Sequence, residues 1–308
     1  MHSPRRFQLV YRPPYDWDSL IAFLAARATP GVEGVDRSGY RRTIAIDGKV
    51  GSMAVAPVDG APALTLDVRF PDPHLLVSIV ERAKRMFDVA ADPAVIGEHL
   101  SVDPLLKRAC AAHSGIRVPG AWDRFELAVR AILGQQISVR AATTIAGRVA
   151  ARWGSPVDAG DGLDRLFPTP AQLQDAPIEE AGVIASRARA IRALARCAEI
   201  EPDALRAIPG IGEWTAQYIA MRALNQPDAF PSGDLVLRRM AGGVSARELD
   251  ERSERWRPWR SYAVMLLWQS ATDLDHKVRR TRHAQMDSRR RNRGRDGRVL
   301  RADPERGA

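Results

Sequence analysis

Two short stretches of this sequence hold residues whose types and spacing suit chemistry. The first is Ala207-Ile208-Pro209-Gly210-Ile211-Gly212-Glu213-Trp214-Thr215-Ala216, set between two helical segments. Glycines at 210 and 212 allow a tight turn whose backbone N–H groups point outward, and the following helix adds its positive N-terminus. Such a turn can hold a phosphate without a lysine or arginine. Its outward carbonyls also offer a place for a monovalent cation. The same residues would serve a plain helical connection in which the glycines only ease packing. The second stretch, downstream, is Phe230-Pro231-Ser232-Gly233-Asp234-Leu235-Val236-Leu237-Arg238. Asp234 stands where a Pro/Gly turn meets an apolar helix start. An aspartate there is ordinarily an N-cap, though a carboxylate can also take a proton or stabilise positive charge.

The elements that must position these residues fall into two kinds. The first hundred residues read as α+β. Ala63-Leu64-Thr65-Leu66-Asp67-Val68-Arg69-Phe70 alternates apolar and polar, the period of a strand with one buried face. Residues 40–46 and 50–56 are weaker strands joined at Asp47-Gly48, a hairpin turn pair. Asp16 or Asp18 caps a helix running to Arg27, with Leu20, Phe23 and Leu24 at core spacing, and a second helix follows Pro73. The unit predicted is an antiparallel sheet with helices on one face. From about Ser101 the pattern is helical: Asp103-Pro104 is a cap with proline at the first helical position. Helices are then expected over 125–133, 138–153, 185–197, 214–224, 234–240, 246–256 and 261–272.

Composition narrows the function classes. The chain has 308 residues, more than one core usually needs, with two cysteines, Cys110 and Cys197, in no Cys-x-x-Cys spacing. That argues against a disulfide framework, a structural zinc or an iron–sulfur cluster. No apolar run approaches the roughly 20 residues of a membrane span, and no signal peptide is evident. A cytoplasmic, nucleoid-associated monomer without membrane contact is expected. The net charge of +9 invites a nucleic-acid reading, yet from Lys277 to Ala308 stand 12 Lys/Arg against 4 Asp/Glu. The folded body is therefore nearly neutral, and any grip on DNA must come from placed groups. The Arg-rich segment, with few large apolar residues, is expected to be disordered. The expected division is an α+β domain over 1–100, a helical core of two subdomains over 101–276 with the hairpin at 205–224, and a basic tail over 277–308.

The hairpin followed by Pro231, Gly233 and Asp234 resembles the helix-hairpin-helix, Gly/Pro-Asp superfamily of DNA glycosylases, and within it the 3-methyladenine DNA glycosylase II family. Three further stretches carry the resemblance: Tyr11-Arg12-Pro13-Pro14-Tyr15-Asp16-Trp17, Arg130-Ala131-Ile132-Leu133-Gly134-Gln135-Gln136-Ile137-Ser138-Val139, and Glu254-Arg255-Trp256-Arg257-Pro258-Trp259-Arg260-Ser261-Tyr262-Ala263. It runs in order from about Phe7 to Asp275. It implies an all-α helix-hairpin-helix glycosylase core behind the α+β domain. Pro209, Gly210, Ile211, Gly212 and Thr215 would grip the DNA backbone. Asp234 would be the catalytic carboxylate of a base-excision-repair enzyme acting on duplex DNA that carries alkylated bases.

The chemistry explains why one carboxylate can suffice. Glycoside hydrolysis ordinarily uses two, because a neutral leaving group must be protonated as the oxocarbenium ion forms. A base alkylated at a ring nitrogen, such as 3-methyladenine or 7-methylguanine, is already positive and leaves neutral. An ionised aspartate then has only to stabilise the sugar cation and help water attack. No cofactor is required. Lyase members of the superfamily carry a Schiff-base lysine two positions after the hairpin's second glycine; here that position is Trp214, and no lysine occurs between Lys107 and Lys277. A monofunctional enzyme is expected.

The flipped base needs a pocket, and a cationic base stacks well on aromatic faces. By resemblance Trp214, Tyr218, Trp268 and Phe23 would supply those faces and Gln135 a polar contact. Core packing is the plainer role for any of the aromatics. Gln136 takes the place of the family's intercalating wedge, where an apolar leucine sits in the best-known member. A glutamine can stack and hydrogen-bond to the orphaned base but separates base pairs less well. The segment between Cys197 and Pro209 is shorter than the family's. Arg255, Arg257 and Arg260 would contact phosphate or solvate a helix end, and the basic tail would add salt-sensitive affinity or only solubility. A glycosylase for deaminated or oxidised bases and a catalytically weak DNA-binding module are the alternatives.

Overall fold

The computed structural model describes residues 4–197 and 199–296, except for the side chains of 278–280 and 282–296. Strand β1 (Arg5–Val10) leads to helix α1 (Trp17–Ala25), and β2 (Glu33–Asp36), β3 (Gly39–Ile46), β4 (Lys49–Pro57) and β5 (Ala63–Arg69) follow as a meander. They form one antiparallel sheet in the order β1-β5-β4-β3-β2. The β3–β4 turn is the two-residue Asp47-Gly48 pair, with φ of 50° and 73°, as a type I′ hairpin requires. Edge strands β1 and β2 escaped the sequence reading. One is rich in charge and the other is four residues long, so neither shows a clear alternation. Helix α1 opens at Asp16, whose Oδ1 accepts from the Ser19 N–H at 3.0 Å, and with α2 (Leu76–Met86) it packs Leu20, Leu24, Ile79 and Met86 into the sheet's core.

Helices α3 (Pro93–Leu100), α4 (Pro104–Ala112), α5 (Arg124–Leu133) and α6 (Val139–Trp153) begin the helical part. A small hairpin of β6 (Pro156–Gly160) and β7 (Leu163–Arg165), not foreseen, then packs back on the sheet through β3 and β4. After it come α7 (Pro170–Leu173), α8 (Ala185–Ala195), α9 (Pro202–Arg206), α10 (Glu213–Ala223), α11 (Leu235–Met240), α12 (Ala246–Ser253) and α13 (Arg260–Asp296). They bury two cores. One gathers α5, α6, α8 and the hairpin around Ile132, Val149, Ile191 and Leu205. The other gathers α3, α4, α11, α12 and α13 around Leu100, Leu106, Leu249 and Leu266.

The sheet is joined to the first of these cores by a buried ionic cluster. Glu126 of α5 accepts from Arg42 of β3 at 2.6 Å and from Arg130 at 2.8 Å. Arg130 also donates to Glu33 of β2 at 2.8 Å, and the Tyr40 hydroxyl donates to Glu33 at 2.6 Å. Burial pushes the Glu33 carboxyl up, but Arg130, Arg42 and Tyr40 outweigh it and hold it below the usual range. Two carboxylates facing two guanidiniums keep the cluster neutral.

Disorder from Lys277 onward is corrected by the backbone, which stays helical through Asp296; residues 297–308 lie outside those described. No glycine or proline occurs between Arg260 and Arg293. A helix nucleated and anchored at its packed N-terminal end can therefore propagate through good helix formers despite their charge.

Candidate active site and nucleic-acid interface

Helix α10 runs between the two helical cores. Ala216, Ile219 and Ala223 face one and Ala220 and Met221 the other. Trp214, Tyr218 and Arg222, four residues apart and so on one face, line a cavity of about 410 Å³. Its opposite walls are α5 and the start of α6 on one side, with Ala131 and Thr143, and α13 on the other, with Trp268 and Thr272. Such a volume suits a small planar ligand.

Asp234 lies on this cavity, immediately before α11. Its Oδ1 accepts from the backbone N–H groups of Val236 at 2.9 Å and Leu237 at 3.0 Å. The indole of Trp214 donates to Oδ2 at 3.0 Å, and that of Trp268 to Oδ1 at 3.3 Å. Capping and a place at the cavity are therefore not alternatives. The cap fixes one oxygen, the Trp214 indole orients the other, and among the described residues no cation forms an ion pair with the carboxylate.

The aromatic candidates divide. Trp214 stacks on Tyr218 with ring centroids 5.4 Å apart and 11° between planes. Tyr218 meets Trp268 at 6.2 Å. These three form the cavity's aromatic wall. Phe23 does not line it: it stacks behind Trp268 at 6.3 Å and is covered by the guanidiniums of Arg27 at 3.7 Å and Arg222 at 4.7 Å. Its part is to back the wall.

Gln135 also sits elsewhere than expected. Its Nε2 donates to the Gly210 carbonyl at 2.9 Å and to the Thr215 hydroxyl at 3.0 Å, so it ties the α5–α6 turn to the hairpin instead of reaching into the cavity. Turning away from the cavity satisfies its amide on two fixed acceptors. It also occupies Gly210, one of the hairpin carbonyls a cation would need. Gln136, next along, is exposed, with a left-handed backbone of φ 55°. Few non-glycine residues adopt that conformation, and here it turns the side chain out of the turn beside the cavity.

The hairpin between α9 and α10 presents Pro209, Gly210 and Gly212 to solvent while Ile211 and Thr215 are buried beneath. Gly210 has φ 95°, which favours glycine. Gly212 caps α10 without any side-chain hydrogen bond, leaving the first-turn N–H groups open to an anion. A Cβ at Gly212 would meet nothing within 4 Å.

Sequence reasoning missed the cavity's arginines. Arg27, Arg130 and Arg222 all line it, and Arg239 and Asp275 stand exposed at its mouth. Arg222 lies four residues after Tyr218, and Arg27 four after Phe23, a spacing that could have flagged both. Arg222 donates to the Tyr218 hydroxyl at 2.8 Å and to the carbonyls of Pro119 and Gly120. Arg130 donates to the Arg27 carbonyl. The cluster of Arg257 and Arg260 is structural, for both pair with Asp228 and Glu254. Among the described residues no group of three or more His, Cys, Asp or Glu could hold a metal, and no helix is long and apolar enough to cross a membrane.

Residues 6–123 match the model of the AlkA N-terminal domain, and residues 129–257 that of the HhH-GPD superfamily base excision DNA repair proteins. The chain is 33% identical to DNA-3-methyladenine glycosylase 2 of Escherichia coli, over 85% of this chain and 96% of that protein. It is 40% identical, over 88% of its length, to the probable bifunctional transcriptional activator/DNA repair enzyme AlkA of Mycobacterium tuberculosis, of which it spans only 57%. The fold is shared with the 3-methyladenine DNA-glycosylase from Archaeoglobus fulgidus, with a TM-score of 0.77 at 21% identity, covering 86% of this chain and 98% of that one. With its antiparallel sheet, helical core and Asp234 beside the hairpin, the chain belongs to the family of DNA-3-methyladenine glycosylase 2, within the HhH-GPD superfamily of base excision DNA repair proteins.

Proposed function

We propose that this protein is a monofunctional DNA glycosylase that flips alkylated bases out of duplex DNA and hydrolyses their bond to the sugar. The observation that carries the reading is the Asp234 carboxylate, fixed by two backbone N–H groups and two indoles on the wall of an aromatic cavity. The open N-terminus of α10 suits a phosphate, and Gln136 beside it suits the gap left by the extruded base. A methylated purine bearing positive charge would lie against Trp214, Tyr218 and Trp268, each contact contributing roughly 0.5–2 kcal/mol. As its bond to the sugar breaks, the Asp234 carboxylate stabilises the positive C1′ and accepts a proton from the attacking water. The base leaves neutral and an abasic site remains.

Trp214 stands where a lyase would carry its lysine, and no lysine is among the cavity's lining residues, which supports hydrolysis without strand cleavage. The test is release of free 3-methyladenine and 7-methylguanine from a methylated duplex, with borohydride added to trap any Schiff base. Release of both bases and no trapped complex is expected; a covalent adduct would overturn the monofunctional reading.

A further inference from the structure

Helix α13 begins in the core and ends in solvent. Tyr262, Ala263, Leu266 and Leu267 are buried, whereas Thr272 through Lys277 and Thr281 are all exposed. On its way out the helix passes the cavity, which Trp268, Thr272 and Asp275 line. Gln269, His276 and Thr281 then flank a groove shared with Ala22 and Phe23 of α1. The helix therefore leaves the body at the cavity mouth, on the wall opposite the α5–α6 turn that carries Gln136, and its backbone continues to Asp296.

The sequence of this extension differs from that of the body. Residues 277–296 hold nine Lys/Arg against Asp287 and Asp296, while the chain before Lys277 is nearly neutral. Arg289 and Arg293, and Arg291 and Arg295, stand four apart, where like charges on a helix destabilise it. A polyanion alongside would turn that repulsion into attraction. The apolar residues of the stretch are only Val278, Ala284 and Met286, which make no stripe for a bilayer or for an apolar groove on a protein. Charge is thus the one property by which a partner can be recognised, and the extension starts where the duplex must lie for a base to reach the cavity.

We propose that the basic extension of α13 is a second DNA-binding element, which lies along the phosphate backbone on one flank of the lesion. The flank is the one away from the Gln136 turn, because α13 and that turn stand on opposite walls of the mouth. Twenty helical residues reach about 30 Å, or roughly nine base pairs of duplex. The two holds differ in kind. The hairpin grips a phosphate at the lesion through backbone N–H groups, and the extension supplies the long-range charge that the near-neutral body lacks, which sets salt dependence and the rate of encounter. The inference rests on the glycosylase reading for where the duplex lies, and adds to it an interaction surface that takes no part in the chemistry.

The experiment measures affinity of the full chain, across a salt series, for duplexes whose lesion position is marked by a stable abasic-site analogue. Lengthening one flank from about five to about fifteen base pairs should raise affinity and steepen the salt dependence, and lengthening the other flank should do neither. An equal gain from either flank would mean a diffuse charge effect and would overturn the docking. The full chain with Arg289→Gln, Arg290→Gln, Arg291→Gln and Arg293→Gln keeps good helix formers while removing four charges. Losing two phosphate contacts lowers the salt slope by about 1.8, so the drop in affinity between about 50 and 200 mM salt should be about tenfold smaller than in the unaltered chain. Single-turnover release of 7-methylguanine at saturating protein should stay the same, which also shows that the fold survives. An unchanged salt slope would overturn the proposal. So would loss of binding to phosphatidylserine vesicles or single-stranded RNA with duplex binding intact. Absence of base release by the unaltered protein fails the glycosylase reading instead, and flank dependence on the same duplexes still upholds or overturns the extension's role.

Discussion

The indole of Trp214 donates to Asp234 Oδ2 at 3.0 Å across the mouth of the hairpin helix, in the position a lyase of the superfamily gives to its lysine. In the proposed hydrolysis this residue orients the carboxylate and brings no amine for a covalent route. A hydrogen bond to a charged group contributes about 1.5–3 kcal/mol. Trp214→Phe keeps a ring against Tyr218 but loses that donor, and single-turnover release of 7-methylguanine should drop about 10- to 100-fold. Trp268→Phe should lose less, because its bond is longer, 3.3 Å, and goes to an oxygen already held by two backbone N–H groups. The reverse ranking would place the orienting role on Trp268.

Gly210 and Gly212 should separate folding from DNA binding. Alanine at 210 must adopt φ near 95°, and a left-handed backbone costs a side-chain-bearing residue roughly 1–2 kcal/mol, read as a lower urea midpoint. Alanine at 212 meets nothing in the protein and leaves the midpoint unchanged. Its Cβ instead stands where a phosphate would approach the first turn of α10, so duplex affinity should fall severalfold. Equal affinity in Gly212→Ala would move the phosphate away from this turn.

The exposed Gln136 makes a prediction about duplex structure. Gln136→Ala should slow excision from duplex DNA more than from a single strand, since only the duplex leaves a gap to fill. Matching losses on both substrates would argue against a wedge.

Much of the site was legible because its parts are local in sequence. The Gly-x-Gly hairpin, the Pro/Gly turn before Asp234 and the 214/218 spacing each declare themselves within ten residues. Arg27 and Arg130 do not, because the segment after α1 and helix α5 come together at the cavity only through contacts between residues far apart in sequence. Gln135 was misplaced because the left-handed turn at Gln136 sets which way neighbouring side chains leave the chain, and nothing in the residue types announces that. Phe23 was assigned to the right neighbourhood but the wrong side of Trp268. The basic tail read as disordered because charge density masks helix propensity when no apolar stripe accompanies it.

Asp88 offers a pH test of how the sheet domain is held. It accepts from the Val118 N–H at 3.0 Å and from the Tyr262 hydroxyl of α13 at 2.9 Å. Burial pushes its carboxyl up to about 6, against the pull of those two donors and Arg117. The folded protein therefore binds this proton more tightly than the unfolded chain, so stability is fullest below about 4 and falls as pH rises toward about 6. Asp88→Asn should remove that slope. The melting temperature should rise relative to the unaltered protein at pH 7–8, and the gain should vanish near pH 4. A gain equal at both pH values would exclude this linkage.

In the proposed mechanism Asp234 performs the chemistry while the hairpin performs the holding. Asparagine at 234 can still cap α11, since its side-chain oxygen accepts as aspartate does. The decisive measurement is free 7-methylguanine released from a methylated duplex by Asp234→Asn, taken with duplex affinity on the same sample. No release above the uncatalysed background is expected, with affinity within about threefold of the unaltered protein, a change under 1 kcal/mol. Retained release would contradict that mechanism.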